Sequence, residues 1–478
     1  MSAAWMEPWN LIMVGRTMIG VVLAMALFVT VLLSRRSSAR EPHKRGARIL
    51  DGKAAQRRSN RSRLMRPEPP LTIAGIAVDP ADEVKHFKLI GTTGTGKSTA
   101  IRELLGAALD RGDRAVITDP NGGYLAGYYD AGRGDVILNP FDTRSAQWDP
   151  LAEVREPYDA EQLASSLIPL TEDASGREWR GYARTFLTAV ARRCHESGWR
   201  NAADLWRLTA IASTAELRPI VANTPAQPFL EPENARMFGS IRSIAGSATA
   251  ALEHVVAQRA RTFSVRDWIR GGRGALFLPY QANQIAALRT VIATWVRLAI
   301  FETMCHEDSE GTDQRMWLIV DELDALGVID GLKDALARLR KHGGCCVLGF
   351  QSVAQVSSTY GTGEAQTIIE NCANTLILRC SASEHGGTSQ FASRLIGERE
   401  VARRSMSRGR DGSGFPGGRG WRRSLNVSEQ RVTEAAVLAS ELEQLPDLTG
   451  FLKTASSPAW LRVRLRPCGG REEPRRGV

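Results

Sequence analysis

The chain has 478 residues, more than one hydrophobic core usually supports, and its ordinary share of apolar residues excludes wholesale disorder. The formal net charge of +10 is concentrated in residues 35–66, which hold twelve Lys or Arg and two acids. The rest of the chain is close to neutral, so the overall charge is weak evidence for nucleic-acid binding. The seven cysteines form no CxxC pair, which indicates reduced thiols in a cytosolic compartment.

Residues 17–33, TMIGVVLAMALFVTVLL, carry no charge and predict an N-terminal transmembrane helix within residues 1–34. A bilayer core needs about 20 apolar residues in a helix, and Arg16 can extend the span by reaching toward the head groups. A cleaved signal peptide is the alternative, but no cleavage site is convincing. The basic linker that follows, residues 35–70, places the remaining chain in the cytoplasm by the positive-inside rule.

A glycine-rich loop with phosphate-binding spacing follows the short apolar stretch HFKLI. Its glycines let backbone N–H groups turn toward phosphate oxygens, and the start of the next helix adds partial positive charge. Lys97 is predicted to reach the outer phosphates, and the Ser98 hydroxyl is predicted to bind Mg²⁺. The pattern therefore predicts ATP binding by Gly91, Thr92, Thr93, Gly94, Thr95, Gly96, Lys97, Ser98 and Thr99.

Two acids, Asp321 and Glu322, end the all-apolar stretch 316–320, which is typical of a buried strand. An acid at a strand end can hold magnesium through water, and the adjacent acid can polarise an attacking water. A strand followed by an acidic helix start is the ordinary alternative. The phosphate loop favours the catalytic interpretation, with Asp321 at the metal and Glu322 at the water.

Two further residues are candidates for catalysis. Gln351 ends the apolar strand 345–350, so it is predicted to lie near the γ-phosphate and sense it; a polar residue at a strand end is an equally good interpretation. The helix before this strand ends in RLRKHGG, whose basic residues suit the negative end of a helix. The sharper hypothesis is that Arg340 reaches the nucleotide of a neighbouring subunit as an arginine finger.

Strand and helix patterns alternate in residues 71–148 and again in 261–466, which predicts one α/β nucleotide-binding domain built from two parts. Residues 149–260 show helical spacing without strand alternation and predict an inserted all-α domain. Residues 467–478 are predicted to form a C-terminal tail.

Two stretches combine arginines with other features of nucleic-acid binding. Arg177, Trp179 and Arg180 suit stacking on single-stranded DNA, although a buried tryptophan with solvated neighbours is slightly favoured. Residues 403–423 hold seven arginines and one acid among glycines, and predict a mobile loop or an open hairpin. Contact with a phosphate backbone and a solvated insertion are equally good interpretations of this stretch.

A series of motifs between about residues 70 and 460 resembles the coupling proteins of bacterial conjugation and type IV secretion, the TrwB/TraD group. In chain order the motifs are HFKLIGTTGTGKS, RAVITDPNGGY, DVILNPFDTRSAQWDP, WLIVDELDALG, RLRKHGGCCVLGFQSVAQ, YGTGEAQTIIENCANTLIL and LPDLTGFL. DPNGGY and LNPFDTRS are the most specific, because no general nucleotide chemistry requires them.

The resemblance implies a RecA-like P-loop ATPase domain with an inserted all-α domain, anchored in the bacterial inner membrane as a homo-hexamer. It implies that the protein recruits a relaxase–DNA complex to a type IV secretion channel, contacts the inner-membrane scaffold, and drives DNA translocation with ATP and Mg²⁺. Single-stranded DNA is the expected substrate, with double-stranded DNA as an alternative. Lys97 and Ser98 match the group's phosphate-loop residues, Asp321 and Glu322 its magnesium and catalytic acids, Gln351 its sensor glutamine and Arg340 its intersubunit arginine.

Two other functions stay open from the sequence. One is a coupling ATPase that recruits mainly protein effectors. The other is a membrane receptor that binds nucleotide only to assemble, against which Glu322 argues because a tether needs no catalytic acid. The chain also departs from the group: one span is found where two are usual, Gly123 stands where an acid is often seen, and no long acidic tail is present.

Overall fold

The computed structural model describes residues 43–63, 70–170, 174–199, 201–305, 314–383, 386–411 and 422–467. The predicted transmembrane helix lies outside these residues. Among the residues described, no helix combines the length and the apolar character that crossing a bilayer requires. The cysteines in this part of the chain are free thiols.

The strands of the described residues are β1 (His43–Gly46), β2 (Ile49–Asp51), β3 (Thr72–Ile73), β4 (Ile76–Ala77), β5 (Phe87–Ile90), β6 (Arg114–Pro120), β7 (Val136–Ile137), β8 (Gln147–Trp148), β9 (Thr262–Phe263), β10 (Ala275–Tyr280), β11 (Met316–Val320), β12 (Gly344–Phe350), β13 (Asn374–Ile377), β14 (Glu398–Asp411), β15 (Arg422–Ala435), β16 (Thr449–Lys453) and β17 (Trp460–Arg464).

The α-helices are α1 (Gly52–Arg63), α2 (Pro80–Glu83), α3 (Lys97–Asp110), α4 (Gly123–Tyr128), α5 (Pro157–Leu167), α6 (Ala174–Glu196), α7 (Ala202–Trp206), α8 (Thr214–Val221), α9 (Ala235–Thr249), α10 (Leu252–Ala257), α11 (Val265–Gly271), α12 (Ile285–Cys305), α13 (Leu332–Leu339), α14 (Val353–Tyr360), α15 (Thr362–Asn371), α16 (Gly387–Ile396) and α17 (Ala439–Glu443). Short 3₁₀ turns lie at Ala131–Arg133, Gln227–Leu230, Pro232–Asn234, Leu323–Leu326 and Arg340–His342, and a π-helical segment lies at Arg207–Ile211.

The described chain divides into two compact units. The smaller contains residues 43–48 and 397–436, and the larger contains the remainder. The predicted domain limits do not include this division, because they assign the whole of 261–466 to the nucleotide-binding domain.

The larger unit is organised around a ten-stranded mixed sheet in the order β2-β17-β16-β13-β5-β12-β11-β6-β10-β7. Strands β13 to β7 in this order are parallel, and β16 and β17 add an antiparallel extension. All residues of β10, β11 and β12 are buried, as expected for parallel strands covered on both faces. Sequence reasoning predicts β11 and β12 correctly, and the α/β class is confirmed.

Helices from α5 to α10 form a block between β8 and β9, which pair with each other in parallel. Phe186 and Val190 of α6 are fully buried, and the Phe186 ring lies 5.3 Å from that of Phe238. Trp179 is not part of this core: its ring is half-buried and meets the Tyr182 ring edge-on at 6.0 Å. The slightly favoured interpretation of Trp179 as a buried side chain is therefore wrong.

The smaller unit is a three-stranded antiparallel sheet in the order β1-β14-β15. Strands β14 and β15 form a long hairpin in continuous register from Glu398↔Ala435 to Asp411↔Arg422. Glu434 bridges Arg399 and Arg403 at 2.8 and 2.9 Å. The described part of 403–423 is thus a hairpin, one of the two predicted forms, and residues 412–421 lie outside the described chain.

Candidate nucleotide site

The phosphate-loop candidate connects the carboxyl end of β5 to the first residue of α3. Neighbouring segments brace it: Thr92 N–H donates to the Arg379 carbonyl at 2.8 Å, and Leu448 N–H donates to the Thr95 carbonyl at 2.9 Å. Gly96 has a φ of +117°, and a Cβ there would lie 2.8 Å from a methyl group of Leu448. The backbone conformation therefore favours glycine at this turn, and a larger residue would also displace the Leu448 side chain.

Lys97 is buried, with 7% of its surface exposed. Its Nζ donates to the carbonyls of Gly91 at 2.5 Å and Thr92 at 3.2 Å, both within its own loop. Burial lowers the pKa of Lys97, while Asp321 and Glu322 act in the opposite direction. The ammonium thus lies inside the loop, where polyphosphate oxygens can replace the carbonyls as its partners.

Residues from distant parts of the sequence meet at Asp321. The Ser98 hydroxyl donates to Asp321 Oδ2 at 3.0 Å, and the Tyr124 hydroxyl donates to the same oxygen at 2.7 Å. Asp321 Oδ1 is buried and has no hydrogen-bond partner. A Cβ at residue 349 would lie 2.8 Å from this Oδ1, so Gly349 leaves space for the carboxylate.

Glu322 has a left-handed backbone with φ of +64°, which is unusual for a residue with a side chain. Its Oε1 accepts a hydrogen bond from Gln351 Nε2 at 3.2 Å, and Gln351 Oε1 accepts one from the Thr93 hydroxyl at 2.9 Å. Burial and the neighbouring carboxylates of Asp321 and Asp324 raise the pKa of Glu322. A hydrogen-bonded chain therefore links the phosphate loop to this acid.

Arg340 lies away from this group. It belongs to the 3₁₀ turn Arg340–His342 before the amino end of β12, whereas the loop, Asp321, Glu322 and Gln351 all follow carboxyl ends of strands. Its side chain is exposed. Within one chain the structure therefore brings together the other predicted site residues but not Arg340.

Sequence reasoning missed Asp119 and Tyr124. Both belong to DPNGGY, a specific motif that by itself indicates no chemistry. Asp119 is fully buried at the carboxyl end of β6, and burial raises its pKa to about 6. The buried Tyr124 ring lies at the start of α4, and burial raises the pKa of its phenol well above the ordinary value. The signal for these two residues in the sequence is that DPNGGY is specific to the coupling-protein group and is not required by general nucleotide chemistry.

The assembled cavity has a volume of about 290 Å³ and is lined by Thr93, Gly94, Gly96, Lys97, Ser98, Thr99, Pro120, Asn121, Asp321, Glu322, Gln351 and Leu448. Its donor set fits magnesium, because Ser98 and Asp321 supply hard oxygen atoms and Asp321 Oδ1 lacks a partner. Among the residues described, no cluster of three or more His, Cys, Asp or Glu forms a metal cage. Magnesium bound mainly by phosphates and water needs no such cage.

Comparison with known proteins finds a matching family and similar chains. Residues 70–466 match the family described as type IV secretion-system coupling protein DNA-binding domain. The chain is similar to coupling protein TraD of Escherichia coli K12, with 31% identity over 381 residues that cover 77% of this chain and 51% of TraD. It therefore spans about half the length of that relative.

Solved structures of the plasmid coupling protein TrwB are also similar. The unbound form of TrwBdeltaN70 superposes with a TM-score of 0.77 at 31% identity, covering 89% of this chain and 94% of that one. TrwB in complex with ADP and Mg²⁺ gives 0.77 at 30% identity, with coverage of 91% and 97%. A third structure holds the ATP analogue ADPNP, with a TM-score of 0.76 at 30% identity and coverage of 90% and 96%. The phosphate loop, the distant acids and these similarities lead to one conclusion: the chain belongs to the family of type IV secretion-system coupling proteins.

Proposed function

We propose that the chain is an ATP hydrolase that couples Mg²⁺-dependent turnover to DNA translocation in bacterial conjugation. The observation that carries this proposal is the hydrogen bond between Ser98 and Asp321, which joins the phosphate loop to the acid of a distant strand. TrwB structures that hold ADPNP, or ADP with Mg²⁺, support ATP and Mg²⁺ as ligands. The DNA-binding family supports DNA as a partner.

In the proposed mechanism, Lys97 exchanges its loop carbonyls for the outer phosphates. Ser98 and Asp321 would hold Mg²⁺, which when bound neutralises phosphate charge. Glu322 accepts a proton from, and orients, the attacking water. Gln351 contacts Glu322 and the loop residue Thr93, so it is placed to respond to the γ-phosphate.

The Glu322 carboxylate already has one partner that nucleotide binding can change. Its Oε1 is hydrogen-bonded to Gln351 in this arrangement, and Gln351 is bonded to Thr93. A triphosphate in the loop would compete for the Thr93 hydroxyl and for Gln351. We therefore expect nucleotide binding to release Glu322 toward water.

The assembly and its partners are part of the same proposal. A membrane helix over 17–33 would anchor a homo-hexamer in the bacterial inner membrane, with the bulk of the chain in the cytoplasm. The ring would contact the type IV secretion scaffold, receive the relaxase–DNA complex, and move single-stranded DNA, with double-stranded DNA as the alternative.

The proposal is tested by ATP turnover of the purified chain with and without single-stranded DNA. DNA should stimulate turnover, and Lys97→Ala should reduce it by about 10²-fold or more, because a charged donor to the phosphates is lost. Lys333→Ala, which removes a lysine from α13, is the matched control and should behave as the unmodified chain. Turnover that is indifferent to DNA would instead favour a coupling ATPase for protein effectors.

Arg340 requires a test between subunits, because the structure places it away from the site of its own chain. Arg340→Ala should lower turnover by ~10³–10⁵ if it acts as an arginine finger. Mixing Arg340→Ala with Lys97→Ala subunits should restore activity, since one mutant supplies the arginine and the other an intact site. Arg338→Ala, an exposed arginine two residues earlier, is the control. Mixed subunits without recovered activity would remove Arg340 from the mechanism.

A further inference from the structure

The DPNGGY motif forms the turn that connects β6 to α4. We propose that Asp119 and Tyr124 are positioning residues: Asp119 fixes the start of α4, and Tyr124 thereby holds the Asp321 carboxylate in place for the metal. This inference rests on the proposed function, because it assigns a support to the magnesium site of that function.

Asp119 fixes the turn through both carboxylate oxygens. Oδ1 accepts the Tyr124 backbone N–H at 3.0 Å, and Oδ2 accepts that of Leu125 at 2.7 Å. Asn121, which lies between Asp119 and Tyr124 in the turn, has a left-handed backbone with φ of +65°. Asparagine tolerates this conformation better than most residues. Since Asp119 has no exposed surface, these hydrogen bonds are shielded from competing water.

The turn directs the Tyr124 side chain at the acid of the neighbouring strand. Its ring is 2% exposed, and the Arg102 guanidinium lies 5.7 Å from the ring centroid. The phenol then donates to Asp321 Oδ2 at 2.7 Å. The contact is made across 197 positions of sequence, between the segments that follow the adjacent parallel strands β6 and β11.

The two oxygens of Asp321 have different surroundings. Oδ2 accepts hydrogen bonds from Ser98 and Tyr124, whereas Oδ1 is buried without a partner beside Gly349. Ser98 is itself a proposed metal ligand, so its hydroxyl cannot act solely as a support. Of these two donors, Tyr124 is the one whose hydrogen bond can persist unchanged, and it sets the orientation of the carboxylate.

A hydrogen-bond donor behind a metal ligand fixes the orientation of that ligand and so contributes to metal affinity. Partners of this kind typically change metal affinity by about 10–100-fold when they are mutated. Tyr124→Phe removes the hydroxyl and keeps the ring. Tyr128→Phe is a matched control, because Tyr128 lies in the same short helix and its hydroxyl donates to the Arg102 carbonyl at 2.8 Å.

The test measures metal binding to the purified full chain rather than turnover. Mn²⁺, used as the probe for magnesium, is titrated in the presence of ADP and followed by electron paramagnetic resonance. Tyr124→Phe should raise the dissociation constant for Mn²⁺ by about 10–100-fold, while ADP affinity measured in EDTA stays unchanged. Tyr128→Phe should leave both constants unchanged.

A Mn²⁺ constant within twofold of the unmodified value in Tyr124→Phe would overturn the inference while leaving the proposed function intact. Absence of ADP-dependent Mn²⁺ binding in the unmodified chain would instead remove the proposed function. Asp119→Asn provides a second variant: it should weaken Mn²⁺ binding in the same direction, because one backbone N–H loses its acceptor. Weaker Mn²⁺ binding in Asp119→Asn with unchanged binding in Tyr124→Phe would also contradict the inference that Asp119 acts through Tyr124.

Discussion

Glu153 offers a sharp test of how the helical block joins the nucleotide-binding sheet. Its side chain is fully buried and accepts four hydrogen bonds. Oε1 accepts Trp148 Nε1–H at 2.9 Å and Val265 N–H at 2.7 Å, and Oε2 accepts the Ser264 hydroxyl at 3.0 Å and Arg266 N–H at 3.1 Å. Trp148 precedes the helical block in sequence, and the other three donors follow it. One carboxylate therefore links the two ends of the block.

Glu153→Gln replaces one acceptor oxygen by an amide NH₂ of nearly the same size. The NH₂ is best accommodated at the position of Oε2, because the Ser264 hydroxyl there can rotate and accept a hydrogen bond from it. The Arg266 N–H then loses its acceptor. An unsatisfied buried donor costs about 1–3 kcal/mol. The raised pKa of Glu153 means that its buried charge opposes folding at high pH, so loss of this charge offsets part of that cost. We therefore expect a net loss of about 1–2 kcal/mol in the free energy of unfolding.

The assay is equilibrium urea unfolding followed by far-ultraviolet circular dichroism. Burial raises the pKa of Glu153 to about 7, so the measurement is made at pH 8.5, where the carboxylate is ionised. Glu161→Gln, an exposed position on α5, is the control and should change stability by less than about 0.5 kcal/mol. A loss in Glu153→Gln no larger than that in Glu161→Gln would refute the assignment of four simultaneous acceptor contacts.

Two further predictions concern the sheet itself. Both ring nitrogens of the buried His86 are hydrogen-bonded to backbone groups, those of Leu336 and Cys346. Burial lowers the pKa of His86, so below pH 6.5 the unfolded chain binds a proton that the folded chain does not. The free energy of unfolding should therefore fall as the pH drops below 6.5, by up to about 1.4 kcal/mol per pH unit. His86→Asn should reduce the difference in unfolding free energy between pH 7.5 and 5.5, and an unchanged difference would count against a neutral His86. Gly349→Ala would place a methyl group 2.8 Å from Asp321 Oδ1 and should lower Mg²⁺-dependent ATP turnover by about 10-fold or more. The control Gly363→Ala adds its methyl group in open space, and equal turnover in the two variants would contradict the close approach.

Local pattern was sufficient for the elements of the sheet. The apolar runs at β11 and β12 are buried along their whole length, and the helical spacing after the glycine loop gives a helix that begins at Lys97. The spacing of the loop and the position of Asp321 at a strand end also predicted that Ser98 and Asp321 would meet. These features depend on residues near one another in sequence, or on the rule that parallel strands end at one edge.

The remaining features depend on contacts between distant segments. Tyr124 could not be assigned from spacing, because its partner lies 197 positions away and the turn that directs it needs Asp119. The left-handed backbone of Glu322 has no local signal, since neither glycine nor asparagine is present there. The separate unit of 43–48 with 397–436 arises because β1 pairs with β14, and strand pairing across such a distance leaves no mark in either segment.

The central claim is that the glycine loop and the distant acids act on one bound ATP and one metal ion. A crystal structure of the chain with Mg²⁺ and a non-hydrolysable ATP analogue tests it most directly. The metal should lie about 2.1 Å from Ser98 Oγ, with Asp321 reaching it directly or through one water, and Glu322 should face the γ-phosphate. A metal ion bound away from Ser98, or a nucleotide outside the loop between β5 and α3, would contradict the account.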